Sequence, residues 1–411
     1  MVLTAPPAEN SRLPRRRPRV LFVANTSWYL YNYYRNVLRT FITAGYEVWT
    51  ASPADGYHEK LRDLGCTPVS IPLRPASKNP LSEAKALIGL LRLYHGHRPD
   101  LVFHFTIKCN LYGSIAATAL GIPHVNGVPG LGSVFNEEGP RSGLLGPFAT
   151  WAYRLTQRRA FQVFFQNAYD LEFMVRRRMV RRDQTALLPG SGVNLDSFLP
   201  DRREPSDEFV FVFAGRMLRE KGLSYLAEAM RRLRAEESLG PGGGLGGDLG
   251  QALPRVSPRV TCLIYGFLEP GNPKYVTLEE LDAWKAEGLM EYRGPLEDVK
   301  EAYHLADCII LPTYYREGVP KSLLEAAAMA KPILATDLPG CRQAVIHGVN
   351  GLLCAPRDTG ALLEAMRRMV GMDEAARRRL GDNGRRRVET EFGESRVIAR
   401  YLDTARAALG V

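Results

Sequence analysis

Short runs of apolar residues alternate along the chain with longer segments in which apolar residues recur at helical spacing. The first run is Val20–Ala24, and a second series begins at Phe209–Ala214. Continuous apolar strands separated by amphipathic helices are typical of parallel sheets covered on both faces. The pattern therefore predicts an α/β protein with two Rossmann-like, doubly wound domains.

The elements predicted in the first half alternate between strand (20–24, 46–51, 69–72, 101–105, 122–126) and helix (34–44, 58–65, 81–95, 111–120). The second half alternates in the same way between strand (209–214, 260–266, 290–292, 308–311, 332–336) and helix (222–237, 277–287, 297–305, 320–330, 359–370). Doubly wound sheets bind ligands beyond the carboxyl ends of their strands. Two such domains facing each other predict a cleft with two walls, which suits a reaction that joins two substrates.

Changes of composition divide the chain into segments. A Pro- and Arg-rich tail at 1–18 is predicted to be disordered, and 238–258 reads as a flexible Gly-rich insertion. The N-terminal domain is predicted at 19–203 and the C-terminal domain at 204–390, with the polar stretch 200–207 as their linker. A last helix at 391–411 is expected, and a return of that helix to the N-terminal domain is one option.

The composition of the chain indicates which partners and which location to expect. The 411 residues include 54 Lys and Arg against 44 Asp and Glu, a net charge of +10 that suits an anionic partner: nucleotide phosphates, a lipid diphosphate, a membrane surface or nucleic acid. No apolar stretch is long enough to span a bilayer, and no signal peptide is expected. The six cysteines form no C-x-x-C pair, so neither a zinc site nor a redox motif is predicted, and a cytoplasmic location is expected.

One strand–helix junction carries the most specific chemistry. Glu317 and Gly318 follow the strand at 308–311, and Pro320 suits the first position of a helix. The backbone N–H groups at the start of that helix would form an anion site, provided by Gly318, Val319, Pro320, Lys321 and Ser322. Glu325 lies more than one turn further along, where its carboxylate can accept two hydrogen bonds from a ribose diol.

Two glutamates separated by seven residues resemble the E-x(7)-E motif of the family 4 retaining glycosyltransferases. Further segments resemble that family in the same order along the chain: Ser191–Phe198 (with Asn194 in place of the commoner Asp), Ala214–Gly222, Thr336–Gly340 and Gly348–Leu353. The resemblance covers about 19–405. It implies a GT-B fold and transfer of a sugar from a nucleotide diphosphate, with UDP favoured over GDP.

The resemblance also implies roles for residues of the C-terminal domain. Glu325 would engage the ribose, Glu317 would lie near the transferred sugar, and Arg216 and Lys221 would hold the diphosphate. Gly215 and Tyr265 are expected beside the nucleotide. The sequence has no Asp-x-Asp pair, so fixed positive groups are predicted to replace a metal ion, and no cofactor is expected.

The acceptor half resembles a narrower subgroup. Phe105–Gly113 and Asn126–Phe135 look like the enzymes that extend undecaprenyl-diphosphate-linked sugars, N-acetylgalactosaminyltransferases among them. Lys108, Asn110, Gly130 and Gly132 are the predicted acceptor-binding residues, and His104 is a candidate general base. These features predict transfer of a hexose or N-acetylhexosamine to a lipid-linked glycan in polysaccharide or lipopolysaccharide biosynthesis.

One departure and several alternatives remain. The chain has Asn25–Tyr29 where many family members have a Gly-Gly pair, which leaves the shape of the acceptor pocket open. The main alternative is a nucleotide-sugar epimerase or hydrolase on the same fold. No nucleic-acid motif is recognised, so nucleic acid is not expected as a partner, and no G-x-G-x-x-G supports a dehydrogenase. Arginine runs are expected to allow peripheral binding to anionic lipid on the inner face of the plasma membrane.

Overall fold

The computed structural model describes most of the chain, namely residues 16–75, 77, 79–131, 145–201, 203–204, 206–239 and 259–411. The predicted Gly-rich insertion and most of the predicted tail lie outside these residues, as does Gly132. All six cysteines are buried as free thiols. Within the described residues, no helix is both long and apolar enough to cross a bilayer.

The first domain is a seven-stranded parallel sheet with helices on both faces. Its strands are β1 Arg19–Val23, β2 Glu47–Ser52, β3 Thr67–Ser70, β4 Leu101–Phe105, β5 His124–Val128, β6 Gln162–Phe165 and β7 Thr185–Leu187. Its helices are α1 Ser27–Thr43, α2 Tyr57–Asp63, α3 Pro80–His97, α4 Ser114–Ala119, α5 Leu145–Gln157 and α6 Ala168–Arg176. The strand order is β3-β2-β1-β4-β5-β6-β7.

The second domain repeats the design with six parallel strands. They are β8 Glu208–Ala214, β9 Arg259–Tyr265, β10 Glu291–Tyr292, β11 Cys308–Leu311, β12 Ile333–Thr336 and β13 Gly351–Cys354, in the order β10-β9-β8-β11-β12-β13. The helices are α7 Leu223–Leu239, α8 Leu278–Ala286, α9 Lys300–His304, α10 Lys321–Ala328, α11 Pro339–Ala344, α12 Thr359–Gly371, α13 Glu374–Arg387 and α14 Glu394–Leu409.

Burial on both faces of each sheet explains why the strands read as continuous apolar runs. In β1, Val20 and Phe22 belong to the core under α1, whereas Leu21 and Val23 belong to the core on the opposite face. The two predicted doubly wound domains are therefore confirmed. In both sheets the strand order reverses beside the first strand, and ligands of such sheets bind at that point.

The chain passes between the domains twice. Val193 already packs in the core of the second domain, so the first crossing lies before the predicted linker at 200–207. The return crossing runs beside it, since the N–H of Val193 donates to Phe392 O at 2.9 Å and the N–H of Glu394 donates to Val193 O at 3.0 Å. α14 then packs on the first domain, where Tyr401 contacts the ring of Phe164 edge-on.

Two parts of the first domain differ from the sequence-based elements. α1 begins at Ser27 rather than near residue 34, because Thr26 caps it by accepting from the N–H of Tyr29 at 3.1 Å. Five aromatic residues therefore lie on the first turns of a helix instead of in a loop before it: Trp28, Tyr29, Tyr31, Tyr33 and Tyr34. Four elements after residue 128, from α5 to β7, were not predicted, because the strands there are only four and three residues long and arginines interrupt the pattern.

Candidate functional site

A cavity of about 840 Å³ lies between the two domains, at the carboxyl ends of the central strands of both sheets. The first domain contributes loops that follow β1, β2, β4 and β5, and the second contributes loops that follow β8, β9 and β11. The cavity is lined by five basic and three acidic side chains, so its net charge favours an anionic ligand. Its size is that of a site for a small molecule.

A buried ion pair forms the floor of the second domain's wall. Lys221 Nζ lies 2.6 Å from Glu317 Oε1, and the hydroxyl of Thr313 donates to the same carboxylate oxygen at 3.1 Å. Lys221 is only 8% exposed, and Glu317 is the carboxylate paired with its ammonium group. The structure therefore brings together two residues to which the sequence assigned separate roles.

Arg216 contributes a second positive charge to the same wall. Its guanidinium lies 3.3 Å from Glu269 Oε1 and is partly exposed to the cavity. Gly215, the preceding residue, is held by its N–H, which donates to Tyr265 O at 3.0 Å. Tyr265 itself is buried in the second core and does not line the cavity, so only its backbone lies near the loop of Arg216.

The start of α10 points into the cavity as predicted, but one of its N–H groups is already used. The N–H of Val319 donates to Gln166 Oε1 of the first domain at 3.0 Å. Pro320 is the N-cap residue, and its carbonyl accepts from the N–H of Leu323 at 3.1 Å. The anion site that remains at this helix end is therefore smaller than the sequence suggested.

Two glycines allow the domains to touch at this point. A Cβ atom on Gly318 would overlap the carbonyl oxygen of Pro129 and the side-chain oxygen of Gln166, both in the first domain. A Cβ atom on Gly130 would come within 2.8 Å of Gly318 N. Only glycine permits such a close approach of two backbones. The predicted residues Gly130 and Gly318 thus form one contact that joins the two walls.

Glu325 lies behind the helix start, beneath Lys321. Its carboxylate accepts from the hydroxyl of Tyr303 at 3.3 Å and is 4.0 Å from Lys321 Nζ. Burial raises the pKa of Glu325 above its ordinary value, although Lys321 and Tyr303 counteract it. Lys321 also donates to the carbonyl oxygen of Asn32, and Ser322 O accepts from Tyr303, so this region is held from both domains.

Tyr33 of α1 reaches across to the two glutamates and was not assigned a role from the sequence. It lines the cavity, stacks on Tyr29 at 4.8 Å and lies under the ammonium group of Lys321 at 5.0 Å. Burial, followed by the charges of Glu317 and Glu325, raises the pKa of Tyr33. The phenol is therefore neutral near pH 7 and can donate a hydrogen bond to an anionic ligand.

On the first domain's wall, Lys108 lines the cavity but already has three oxygen partners. Its ammonium group donates to Arg74 O at 2.9 Å, to Ser77 O at 2.6 Å and to Glu83 Oε1 at 2.7 Å. Thr106, two residues earlier, has a φ of +72°, a backbone conformation that is strained for a β-branched residue. Binding of an acceptor phosphate by Lys108 stays a prediction.

His104 and Asn110 do not belong to the cavity, contrary to the prediction. His104 is fully buried, with Nε2 2.8 Å from the hydroxyl of Tyr94 and Nδ1 2.8 Å from Asn126 Oδ1. Burial, with a smaller contribution from His124, lowers the pKa of His104 to about 3. Asn110 is also buried and donates to Gly127 O at 2.7 Å. Both residues position β4 and β5, and neither can reach a ligand.

Several residues that line the cavity were not among the predicted site residues. Trp28 meets Phe267 of the second domain edge-on, with ring centroids 6.1 Å apart. Lys60 lies over the ring of Tyr57 at 4.9 Å and is 3.6 Å from Glu297 across the cleft. These contacts depend on the relative placement of two domains, which no local pattern encodes. Among the described residues, no group of three or more His, Cys, Asp and Glu side chains could hold a metal ion.

Family models match both halves of the chain. Residues 196–387 match the model described as Glycosyl transferases group 1, and residues 31–190 match the Glycosyl transferase 4-like domain. The first match contains the predicted Arg216, Lys221, Glu317 and Glu325. The two matches meet near the crossing between the domains.

Two curated relatives are similar over most of the chain. The N,N'-diacetylbacillosaminyl-diphospho-undecaprenol alpha-1,3-N-acetylgalactosaminyltransferase of Campylobacter jejuni subsp. jejuni is 25% identical over 93% of this chain and 97% of its own. The UDP-Gal:alpha-D-GlcNAc-diphosphoundecaprenol alpha-1,3-galactosyltransferase of Escherichia coli is 23% identical over 79% of this chain and 79% of its own.

Solved structures share the arrangement of the two domains. Anabaena HepE in complex with UDP has a TM-score of 0.71 at 17% identity, over 95% of this chain and 100% of its own. Sucrose-phosphate synthase from Thermosynechococcus elongatus has a TM-score of 0.73 at 19% identity, over 96% and 100%. At such identities the likeness concerns the fold, which agrees with the strand orders described above.

Proposed function

We propose that this chain, which belongs to the glycosyltransferases of the GT-B type, transfers a sugar from UDP to a lipid-linked glycan. The sugar is a hexose or an N-acetylhexosamine, and transfer occurs with retention at the anomeric carbon. The observation that carries the proposal is the cavity with walls from both domains. Its second-domain wall presents Arg216, Glu317 and the start of α10, with Lys221 paired to Glu317 behind that wall, and its first-domain wall presents Trp28 and Tyr57.

The second domain is assigned the donor. A nucleotide that places its ribose at Glu325 has its diphosphate near the start of α10, where Arg216 and Lys221 can neutralise it. As the bond to the sugar breaks, negative charge grows on the leaving diphosphate and these fixed cations stabilise it. Tyr33 supplies a further hydrogen bond from the first domain. No metal ion and no cofactor is part of the proposal.

The first domain is assigned the acceptor. The names of both relatives specify undecaprenyl-diphosphate-linked acceptors, which supports the same class for this chain. Aromatic rings such as Trp28 and Tyr57 offer flat faces to a saccharide, and Lys60 lies beside them. His104 is enclosed, so the leaving diphosphate is proposed to take the proton of the acceptor hydroxyl. Because the proposed acceptor is linked to a lipid, we propose that the enzyme acts at the inner face of the plasma membrane.

Donor identity can be measured by the change in melting temperature. Ligand at about 100 times its Kd adds roughly 2.7 kcal/mol to the free energy of unfolding. We expect UDP and a UDP-sugar to raise the melting temperature more than GDP and its sugars do. Incubation with the UDP-sugar alone should then leave it unchanged, whereas an epimerase or a hydrolase would convert it. A larger shift with GDP would contradict the choice of nucleotide.

Glu325→Gln is expected to weaken UDP binding roughly tenfold or more, because a charge-assisted hydrogen bond to the ribose is lost. Since burial raises the pKa of Glu325, the carboxylate becomes protonated at a higher pH than an ordinary glutamate does. The affinity of the wild type for UDP should therefore fall as the pH is lowered, and that of the variant should fall less. Glu301→Gln, an exposed carboxylate on α9, is the matched control. Unchanged UDP affinity in folded Glu325→Gln would remove Glu325 from the site.

A further inference from the structure

The outer face of α5 has an unusual composition for a surface helix. The residues that point inwards are Ala152, Tyr153, Thr156 and Gln157, whereas Trp151, Arg154 and Leu155 point outwards and the exposed Arg158 and Arg159 follow directly after the helix. Trp151 is 55% exposed and Leu155, one turn later, is 54% exposed. The solvent-facing side of the described part of α5 therefore combines large apolar groups with arginines and has no acidic residue.

A second group of arginines adjoins this helix. Arg154 donates to the carbonyl oxygen of Arg177 at 2.9 Å, and Arg181 donates to the carbonyl oxygen of Arg158 at 2.9 Å. These bonds hold the turn after α6 against the end of α5, so both carry their charges on one surface. Residues 151–183 contain eight arginines and three acidic residues. Of these acids Asp170 is buried, Glu172 pairs with Arg182 and Asp183 pairs with Arg181. We call this surface, formed by α5, residues 158–159 and residues 176–182, the arginine–tryptophan face.

This face lies directly behind the cavity. Tyr153 points inwards from α5 and its hydroxyl donates to the carbonyl oxygen of Ile107, which lines the cavity, at 3.4 Å. On α6, the ring of Tyr169 lies under the guanidinium of Arg316, another lining residue, at 4.8 Å. One helix, about 10 Å thick, therefore separates the cavity from the outer side chains of the face.

We infer that the arginine–tryptophan face docks the enzyme on an anionic phospholipid bilayer, with Trp151 and Leu155 inserted between headgroups. Charge complementarity decides the partner, because arginines at this density attract acidic lipids while tryptophan favours the membrane interface. A lipid-linked acceptor has its phosphates at that same level. Docking itself is inferred from the surface alone. Its advantage, which is to hold the cavity at the depth of the acceptor headgroup, rests on the proposed function.

Sedimentation with vesicles tests the face without requiring catalysis. We expect the full-length protein to bind vesicles of phosphatidylcholine with phosphatidylglycerol and to bind pure phosphatidylcholine weakly, with binding that fades as salt is added. At about 1 kcal/mol per basic residue near the surface, Arg158→Gln with Arg159→Gln should weaken binding roughly thirtyfold. Trp151→Ser with Leu155→Ser should weaken it roughly tenfold and also reduce its resistance to salt.

Arg231→Gln with Arg232→Gln is the matched control, because it removes the same charge from α7 of the second domain, where both arginines pair with Glu228. Its binding should stay within about twofold of wild type, since the removed charges lie outside the face. If the control and the Arg158/Arg159 variant lost vesicle binding equally, the net charge of the protein would explain the binding and the inference would be overturned. Binding of the protein to short DNA duplexes but not to vesicles would also overturn the inference.

The rise in melting temperature caused by UDP, measured in every variant, reports on the donor site separately. If UDP did not raise the melting temperature of the wild type, the proposed donor would be rejected and the docking result would still stand.

Discussion

Lys221→Ala is expected to lower kcat about a hundredfold or more, the typical cost of losing a charge contact to a transition state. The substitution removes a cation from the proposed diphosphate site. It also leaves Glu317 without the partner that lies 2.6 Å away, so a negative charge then faces the leaving group. Initial rates with a UDP-sugar and a lipid-linked acceptor measure the effect. Arg216→Ala should act in the same direction.

A double variant separates the two causes. If Lys221 only neutralises Glu317, then Lys221→Ala with Glu317→Gln should recover most of the activity. If Lys221 contacts the diphosphate, as we propose, the double variant should remain about as slow as Lys221→Ala. Recovery to within about tenfold of wild type would assign Lys221 to the support of Glu317 alone.

The same charges lead us to expect catalysis without a divalent ion. Arg216, Lys221 and the partial positive charge at the start of α10 are expected to take the place of a metal ion, with Glu269 and Glu317 each paired to one of the two cations. Excess EDTA should therefore leave the initial rate within about twofold. Loss of activity in EDTA that magnesium or manganese restores would overturn this assignment of the diphosphate site.

Gly318→Ala is expected to lower kcat/KM about a hundredfold while leaving each domain folded. The added methyl group would overlap the carbonyl oxygen of Pro129 and the side chain of Gln166, so the two walls must move apart. A displacement of about 1 Å between reacting groups can cost a factor of this size. Both kcat/KM and the melting temperature should be measured, because we expect a large fall in kcat/KM with only a small fall in melting temperature.

Gly271→Ala is the control for this variant, since a Cβ there meets nothing within 4 Å. It should keep the wild-type rate and melting temperature. If Gly318→Ala also kept the wild-type rate, the approach of Pro129 to Gly318 would not be the catalytically competent arrangement of the domains. If the melting temperature of Gly318→Ala instead fell as far as that of a variant in the hydrophobic core, the contact between Pro129 and Gly318 would be required for folding rather than for catalysis alone.

Local features of the sequence predicted the elements and loops of the second domain well. β8, β11 and the start of α10 follow from apolar runs and from Pro320. These features also placed Lys221 and Glu317 in one wall of the cleft, because the carboxyl ends of adjacent parallel strands lie side by side. Their ion pair could not be predicted, since the two residues come from loops 96 positions apart.

The first domain was harder to predict because position along a strand does not reveal the depth of a side chain. His104 and Asn110 occur at the end of β4, where ligand-binding residues are expected, yet hydrogen bonds with Asn126 and Gly127 hold them inside the domain. Conversely, Tyr33 lies within α1 and was not among the predicted site residues. It reaches the cavity because α1 starts seven residues before the predicted start at 34.

The two crossings of the chain have a consequence for its biosynthesis. Tyr401 and Val397 of α14 are core residues of the first domain, yet they are synthesised after the whole second domain. A ribosome adds about 5–20 residues per second, and domains generally fold in the order of their synthesis. Here the order is inverted: the second domain can complete its core first, and the first domain must wait for α14, which follows it along the chain. The core of the first domain is therefore completed only after the second domain has been synthesised.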